Sequence, residues 1–230
     1  HVNHPINELP TSIMGAKLFD ITGADLLAIA GASRYASVDD TIHCSNEENT
    51  NCGADVARDD LGTASYVTAF QLFHETTTND SSVIISLHGY KYDGSYHHNF
   101  DNTGIIISNG CNEHGNLILP SALTSSINYR LNQLDILPEV YDVGSVIVAE
   151  EFDEYNNNPY YMLRACSNPQ GKYTNSNNFS KDDWVHIEIE YDIRDDANVH
   201  LQDSIILAIS EVFNSTNECY PGFTYEEGEC

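Results

Sequence analysis

The sequence predicts an α/β fold: a mostly parallel sheet flanked by helices on both faces, with loops held by disulfides. Three observations predict it. Short apolar runs of strand length recur along the chain, segments with helical spacing of apolar residues fall between them, and six cysteines include close pairs. A chain of 230 residues is long enough to bury a full core as one domain.

The elements follow in order. Residues 1–24 read as an extended N-terminal arm ahead of the fold. Asp25–Gly31, with Leu-Leu-Ala-Ile-Ala at its centre, is a continuous apolar run closed by glycine and reads as a buried strand. Residues 37–60 are polar and acidic and read as a loop. Apolar residues at 61, 64, 67, 70 and 73 predict a helix. Val83–Leu87 is the next buried strand, residues 89–102 a Tyr/His/Asn-rich loop, and Gly104–Ser108 a further strand. Pro120 opens a helix to about Leu134, where proline is tolerated in the first turn. Ser145–Ala149 is another strand and 150–182 a long excursion. From Trp184 to Tyr191, Val185, Ile187 and Ile189 alternate with His186, Glu188 and Glu190, a strand with one polar face. Leu201, Ile205, Ile209 and Val212 place a helix on 198–213. The domain therefore runs from 25 to 213, and 214–230 is a Cys-rich tail.

Charge narrows the partners. Thirty-five Asp and Glu against nine Lys and Arg give a net charge of −26. A phosphate backbone or an anionic lipid surface would be repelled, which excludes nucleic acid and acidic membranes. The charge suits solubility, or divalent cation binding. No apolar run reaches membrane-spanning length. A chain opening at His1 reads as a processed, exported protein, and the even cysteine count agrees with a secreted, extracellular setting. Sequence proximity suggests the pairings Cys44–Cys52, Cys111–Cys166 and Cys219–Cys230. Sequons at Asn79, Asn178 and Asn214 are compatible with glycosylation.

In a parallel sheet, chemistry gathers on the loops beyond the strand ends. His88 closes an apolar strand, Glu188 and Glu190 share a late strand with His186, and Gly31-Ala-Ser33-Arg34 follows the first run. A histidine ligand with a nearby glutamate base is the arrangement of metal-assisted hydrolysis. Each residue also has a structural reading: His88 as a hydrogen-bonded core histidine, Glu188 and Glu190 as a solvated face. The acidic pairs, such as Asp39-Asp40 and Asp59-Asp60, fit no EF-hand loop.

The Ser86-Leu-His88 strand, the Gly104 strand and helix that follow, and Val185-His-Ile-Glu188 before a final helix together resemble the zinc-dependent N-acetylmuramoyl-alanine amidases and their zinc-carboxypeptidase-like relatives. The resemblance implies His88 as a zinc ligand and Glu188 as the catalytic glutamate. It also implies a histidine after the first strand. There the chain reads Gly31-Ala-Ser33-Arg34-Tyr35, with no histidine. In the region of the second ligand stand Asp55 and Asp59, with Arg58 beside them.

One expectation follows from that gap: a secreted protein with an amidase/peptidase-like fold and a degraded metal site, no longer catalytic and without a cofactor. It would serve in extracellular assembly, as filament or matrix, or in binding a glycan or protein. The alternative is an active zinc amidase or peptidase with a rewired site, with His88 and Asp55 as ligands, helped by His97, His98 or His186, and Glu188 as base. A third reading is a calcium-dependent adhesive or carbohydrate-binding module, with Tyr90, Tyr92 and Tyr96 as stacking platforms.

Overall fold

A computed structural model of the chain describes residues 1–35, 55–57, 65–79, 82–91, 103–114, 116, 118–134, 143–147, 163, 165–166, 168–176 and 184–214. The helices are α1 (Thr11–Thr22), α2 (Ser65–Thr77), α3 (Ala122–Asn132), α4 (Pro169–Ser176), α5 (Tyr191–Arg194) and α6 (Val199–Asn214). The strands are β1 (Ile84–Tyr90), β2 (Thr103–Ser108), β3 (Val143–Ile147) and β4 (Trp184–Glu190).

The expected mostly parallel sheet flanked by helices on both faces does not hold. The sheet is small and mixed, in the order β1-β4-β2-β3. β1 and β4 are parallel, as are β2 and β3, but β4 and β2 run antiparallel. One connection keeps the expected form. A helix between two strands returns the chain to the starting end, which gives parallel neighbours. That holds for β2-α3-β3. The mixed order follows from where β4 inserts, between β1, to which it is parallel, and β2, to which it is antiparallel.

The alternation along β4 divides the sheet. Val185, Ile187 and Ile189 join Leu87, Ile105 and Ile107 in one apolar layer. Met14 and Leu18 of α1, Ile127 and Leu131 of α3, and Leu201, Ile205 and Ile209 of α6 pack against it. The i, i+4, i+8 spacing on α6 puts those three side chains on one stripe. The opposite row is polar, and it is buried: His186 is 3%, Glu188 7% and Glu190 5% exposed. The solvated-face reading of this row is therefore replaced by a buried polar one. Tyr90, a candidate stacking platform, is buried too.

Residues 1–24 are built into the fold. Val2 bridges both Leu87 and Ile29 in parallel fashion, so it extends the β1 edge of the sheet. The apolar run 25–31 forms that single bridge rather than a full strand. Residues 11–22 are α1, which ends at Gly23 in the left-handed conformation, φ 63°, where the absent Cβ removes the usual penalty. Ser121 caps α3 by accepting from Thr124 N at 3.0 Å, just after the proline expected to open it. Cys111 and Cys166 form a disulfide, as their expected pairing requires. Cys44, Cys52, Cys219, Cys230, Asn178, Tyr92 and Tyr96 lie outside the described residues. Among the described residues no helix is long and apolar enough to cross a membrane.

Candidate metal centre

The chain leaves the bridge at Val2, reaches His4, and turns into α1. A turn at residues 4–8 brings Glu8 back beneath His4: Glu8 N donates to His4 O at 2.8 Å. His4 Nδ1 and Glu8 Oε1 then lie 2.7 Å apart. From the sheet, His88 on β1 points to the same place, with Nδ1 3.4 Å from Glu8 Oε2. One donor atom from each of His4, Glu8 and His88 lies within 4.8 Å of the others, and all three residues are buried. Two imidazoles and a carboxylate are a fitting donor set for a zinc-like ion.

The surroundings orient these groups. His4 Nε2 meets Asp55 Oδ1 at 2.6 Å. A carboxylate behind a histidine fixes the ring and directs its other nitrogen forward, the arrangement that commonly supports metal-bound histidine. Asp55 is itself held by Ala57 N at 3.0 Å. Gly89 N donates to Glu8 Oε2 at 2.9 Å. The His4 and His88 rings meet edge-on at 4.8 Å, and the His88 and His186 rings lie 4.6 Å apart.

Burial and neighbours set the charges. Burial opposes a charge on His4, but Glu8 and the hydrogen bonds to Asp55 and Glu8 outweigh it and raise its pKa to about 9. Burial likewise works against the Glu8 charge. The facing His88 and His4 prevail and hold Glu8 well below its usual range. Asp55 is lowered against its burial, chiefly by the hydrogen bond from His4. Burial pushes His88 down.

Glu188 stands beside His88 on the neighbouring strand, its register partner. Its Oε1 accepts from His186 Nε2 at 3.1 Å, while Oε2 is buried without a hydrogen-bond partner. His88 Nε2 and His186 Nδ1 are also buried and unpartnered. Orphaned polar atoms on adjacent positions are costly unless water or a ligand meets them.

The structure places His88 and Glu188 side by side as register partners on β1 and β4. Asp55 arrives in an outer position, bonded to His4 rather than within the triad. His97, His98, Arg58 and Asp59 lie outside the described residues. Sequence reasoning missed His4 and Glu8 because it treated the first residues as an arm. The His4-x-x-x-Glu8 spacing ahead of a helix was the available signal. Asn79 is exposed, and Asn214 ends α6. No protein-family model matches the chain, and no curated protein or solved structure matches it either.

Proposed function

We propose that this protein is a metal-dependent hydrolase of amide bonds, with His4, Glu8 and His88 as ligands and Glu188 as general base. The convergence of those three donors on one buried point carries the reading. It revives the active-enzyme alternative with a different ligand set. No histidine follows Gly31 up to Tyr35, and His4 and Glu8 offer the missing donors from earlier in the chain.

A divalent ion in such a site supplies a Lewis acid and makes bound water acidic enough to be a nucleophile near neutral pH. The protein's own groups do the rest. Asp55 holds His4 in one orientation. His186 anchors one Glu188 oxygen and leaves the other free to accept a proton from water and pass it to a leaving amine. His186 is thus a positioning residue for Glu188. Burial of the row excludes bulk water from competing hydrogen bonds.

The test is metal titration of the whole chain after chelation, followed by assay on peptide and N-acyl amide substrates. Saturable uptake of about one zinc per chain, abolished in His4→Ala and His88→Ala, is expected together with zinc-restored hydrolysis. No saturable uptake, or uptake indifferent to both substitutions, overturns the reading.

A further inference from the structure

Among the described residues, Arg34 reaches into the triad from outside with a positive charge. Its Nη2 donates to Glu8 Oε1 and sits against His4 Nδ1, the two donor atoms that face each other. Its Nη1 lies 3.8 Å from Asp55 Oδ2. The guanidinium therefore touches two of the three groups assigned as ligands and approaches the carboxylate behind them. A metal ion held by His4 Nδ1 and Glu8 Oε1 needs the space that Nη2 takes.

Resting on the metal-centre reading above, we infer that Arg34 is a resident cation that competes with the metal and thereby sets the affinity a metal must have to occupy the site. Two carboxylates, Glu8 and Asp55, bring negative charge into a buried place, and such charges need a counter-ion there. Arg34 is one and a divalent ion is another. The two exclude each other by volume and by sharing the same donor atoms.

The placement of Arg34 fits exchange better than permanent residence. The backbone is anchored, because Arg34 N and Ser33 Oγ both donate to Asn7 Oδ1, at 3.1 and 3.0 Å. The side chain is 25% exposed, so a path to water exists. Its Nε is buried without a hydrogen-bond partner, which an outward swing would repair. The guanidinium can leave while the loop stays.

An affinity threshold follows. Displacing Arg34 lowers the apparent affinity of every metal by the same factor. Ions that bind nitrogen donors strongly, such as zinc or cobalt, retain useful affinity after that reduction. Hard ions such as calcium and magnesium prefer oxygen-rich sites and bind two imidazoles and one carboxylate weakly. For them the competition removes what little binding remains.

The experiment compares wild type, Arg34→Gln and Arg34→Lys by calorimetric titration of the chelated full chain with zinc, cobalt, calcium and magnesium. Thermal unfolding confirms that each variant folds. Arg34→Gln is expected to bind zinc about tenfold more tightly or better, the scale of one charge-assisted hydrogen bond. Arg34→Lys, which keeps the charge but loses the fork, should lie between it and wild type. Calcium binding should be detectable only in Arg34→Gln. Zinc affinity that is unchanged or weaker in both variants overturns this inference while leaving the metal centre standing. Zinc uptake by none of the three proteins removes the metal centre and this inference with it. Should Arg34→Gln fail to fold, a zinc affinity in Arg34→Lys equal to that of wild type overturns the inference.

Discussion

His88 and Glu188 sit side by side on parallel strands, paired in register, with Glu188 Oε2 buried and unpartnered and His88 part of the triad with His4 and Glu8. The pairing separates two roles. In the proposed reading His88 helps hold the ion, and Glu188, one strand away, handles the proton. Substituting Glu188→Gln preserves size and one acceptor oxygen but removes the base. Hydrolysis should fall by about 10²–10⁴-fold, the range for losing a general base. Zinc affinity measured by titration should be little changed, because Glu188 bonds His186 and is not one of the three proposed ligands. A joint loss of binding and activity would place Glu188 among the ligands instead.

Asp55 acts only through His4 in this arrangement. Asp55→Asn leaves a hydrogen-bond acceptor but removes the charge behind the ring. Zinc affinity should drop about 10–100-fold, as for loss of an outer carboxylate on a metal-bound histidine. The readout is a competition titration against a chromophoric chelator, which reports affinity independently of catalysis.

Metal binding should be coupled to protons through His4. In the metal-free protein His4 titrates near 9, above its ordinary 6.5, so it carries a proton at neutral pH. A metal on Nδ1 must displace that proton. Apparent affinity should therefore rise up to about tenfold per pH unit between about 7 and 9, then level off. Calorimetry in buffers of different ionisation enthalpy should show one proton released per metal bound at pH 7.5. The stability consequence has the opposite slope. A raised histidine pKa stabilises the folded metal-free chain fully below 6.5, and that contribution is lost as pH climbs through about 9.

Gly89 allows Arg194 to lie over β1. The Arg194 guanidinium donates to Ile189 O at 2.8 Å, to Tyr90 O at 3.1 Å and to Leu9 O. A Cβ at position 89 would overlap that guanidinium. Gly89→Ala should destabilise the fold by about 1–3 kcal/mol, the usual range for overpacking. It should also loosen Glu8, which accepts from Gly89 N. Urea unfolding checks the first effect and zinc titration the second.

The disulfide Cys111–Cys166 closes a separation of 55 residues and ties the segment after β2 to the approach to α4. Replacing both cysteines by serine should lower stability by about 2–4 kcal/mol, much of it through a less restricted unfolded chain. Chemical unfolding with and without reductant measures the difference.

The sequence made some of this legible. The alternation of Trp184–Glu190 marks β4 and its two faces, and the apolar spacing of Leu201, Ile205 and Ile209 marks α6, because both periods are local. His88 and Glu188 stand out by position on those strands. The mixed order of the sheet was hidden because strand pairing depends on where distant segments meet, and local patterning is silent on that. α1 was hidden because Pro10 and a polar start resemble an arm, and its apolar face is short: Met14 and Leu18 alone enter the core cluster. His4 and Glu8 went with it. Their meeting with His88 and Asp55 is a tertiary fact, made by the bridge from Val2 to Leu87.

The strand order has a consequence for how the chain is made. β4, the last in sequence of the described strands, occupies an inner seat between β1 and β2. On the ribosome, those two strands emerge with no shared partner and wait for residues 184–190 before a continuous sheet can form. His4, Glu8 and His88 are all synthesised by residue 88, yet the strand that braces His88 arrives roughly a hundred residues later. A nascent chain cut short before Trp184 would carry every proposed ligand and still lack the wall that orders them. In the proposed reading the site is ordered only once β4 has been made.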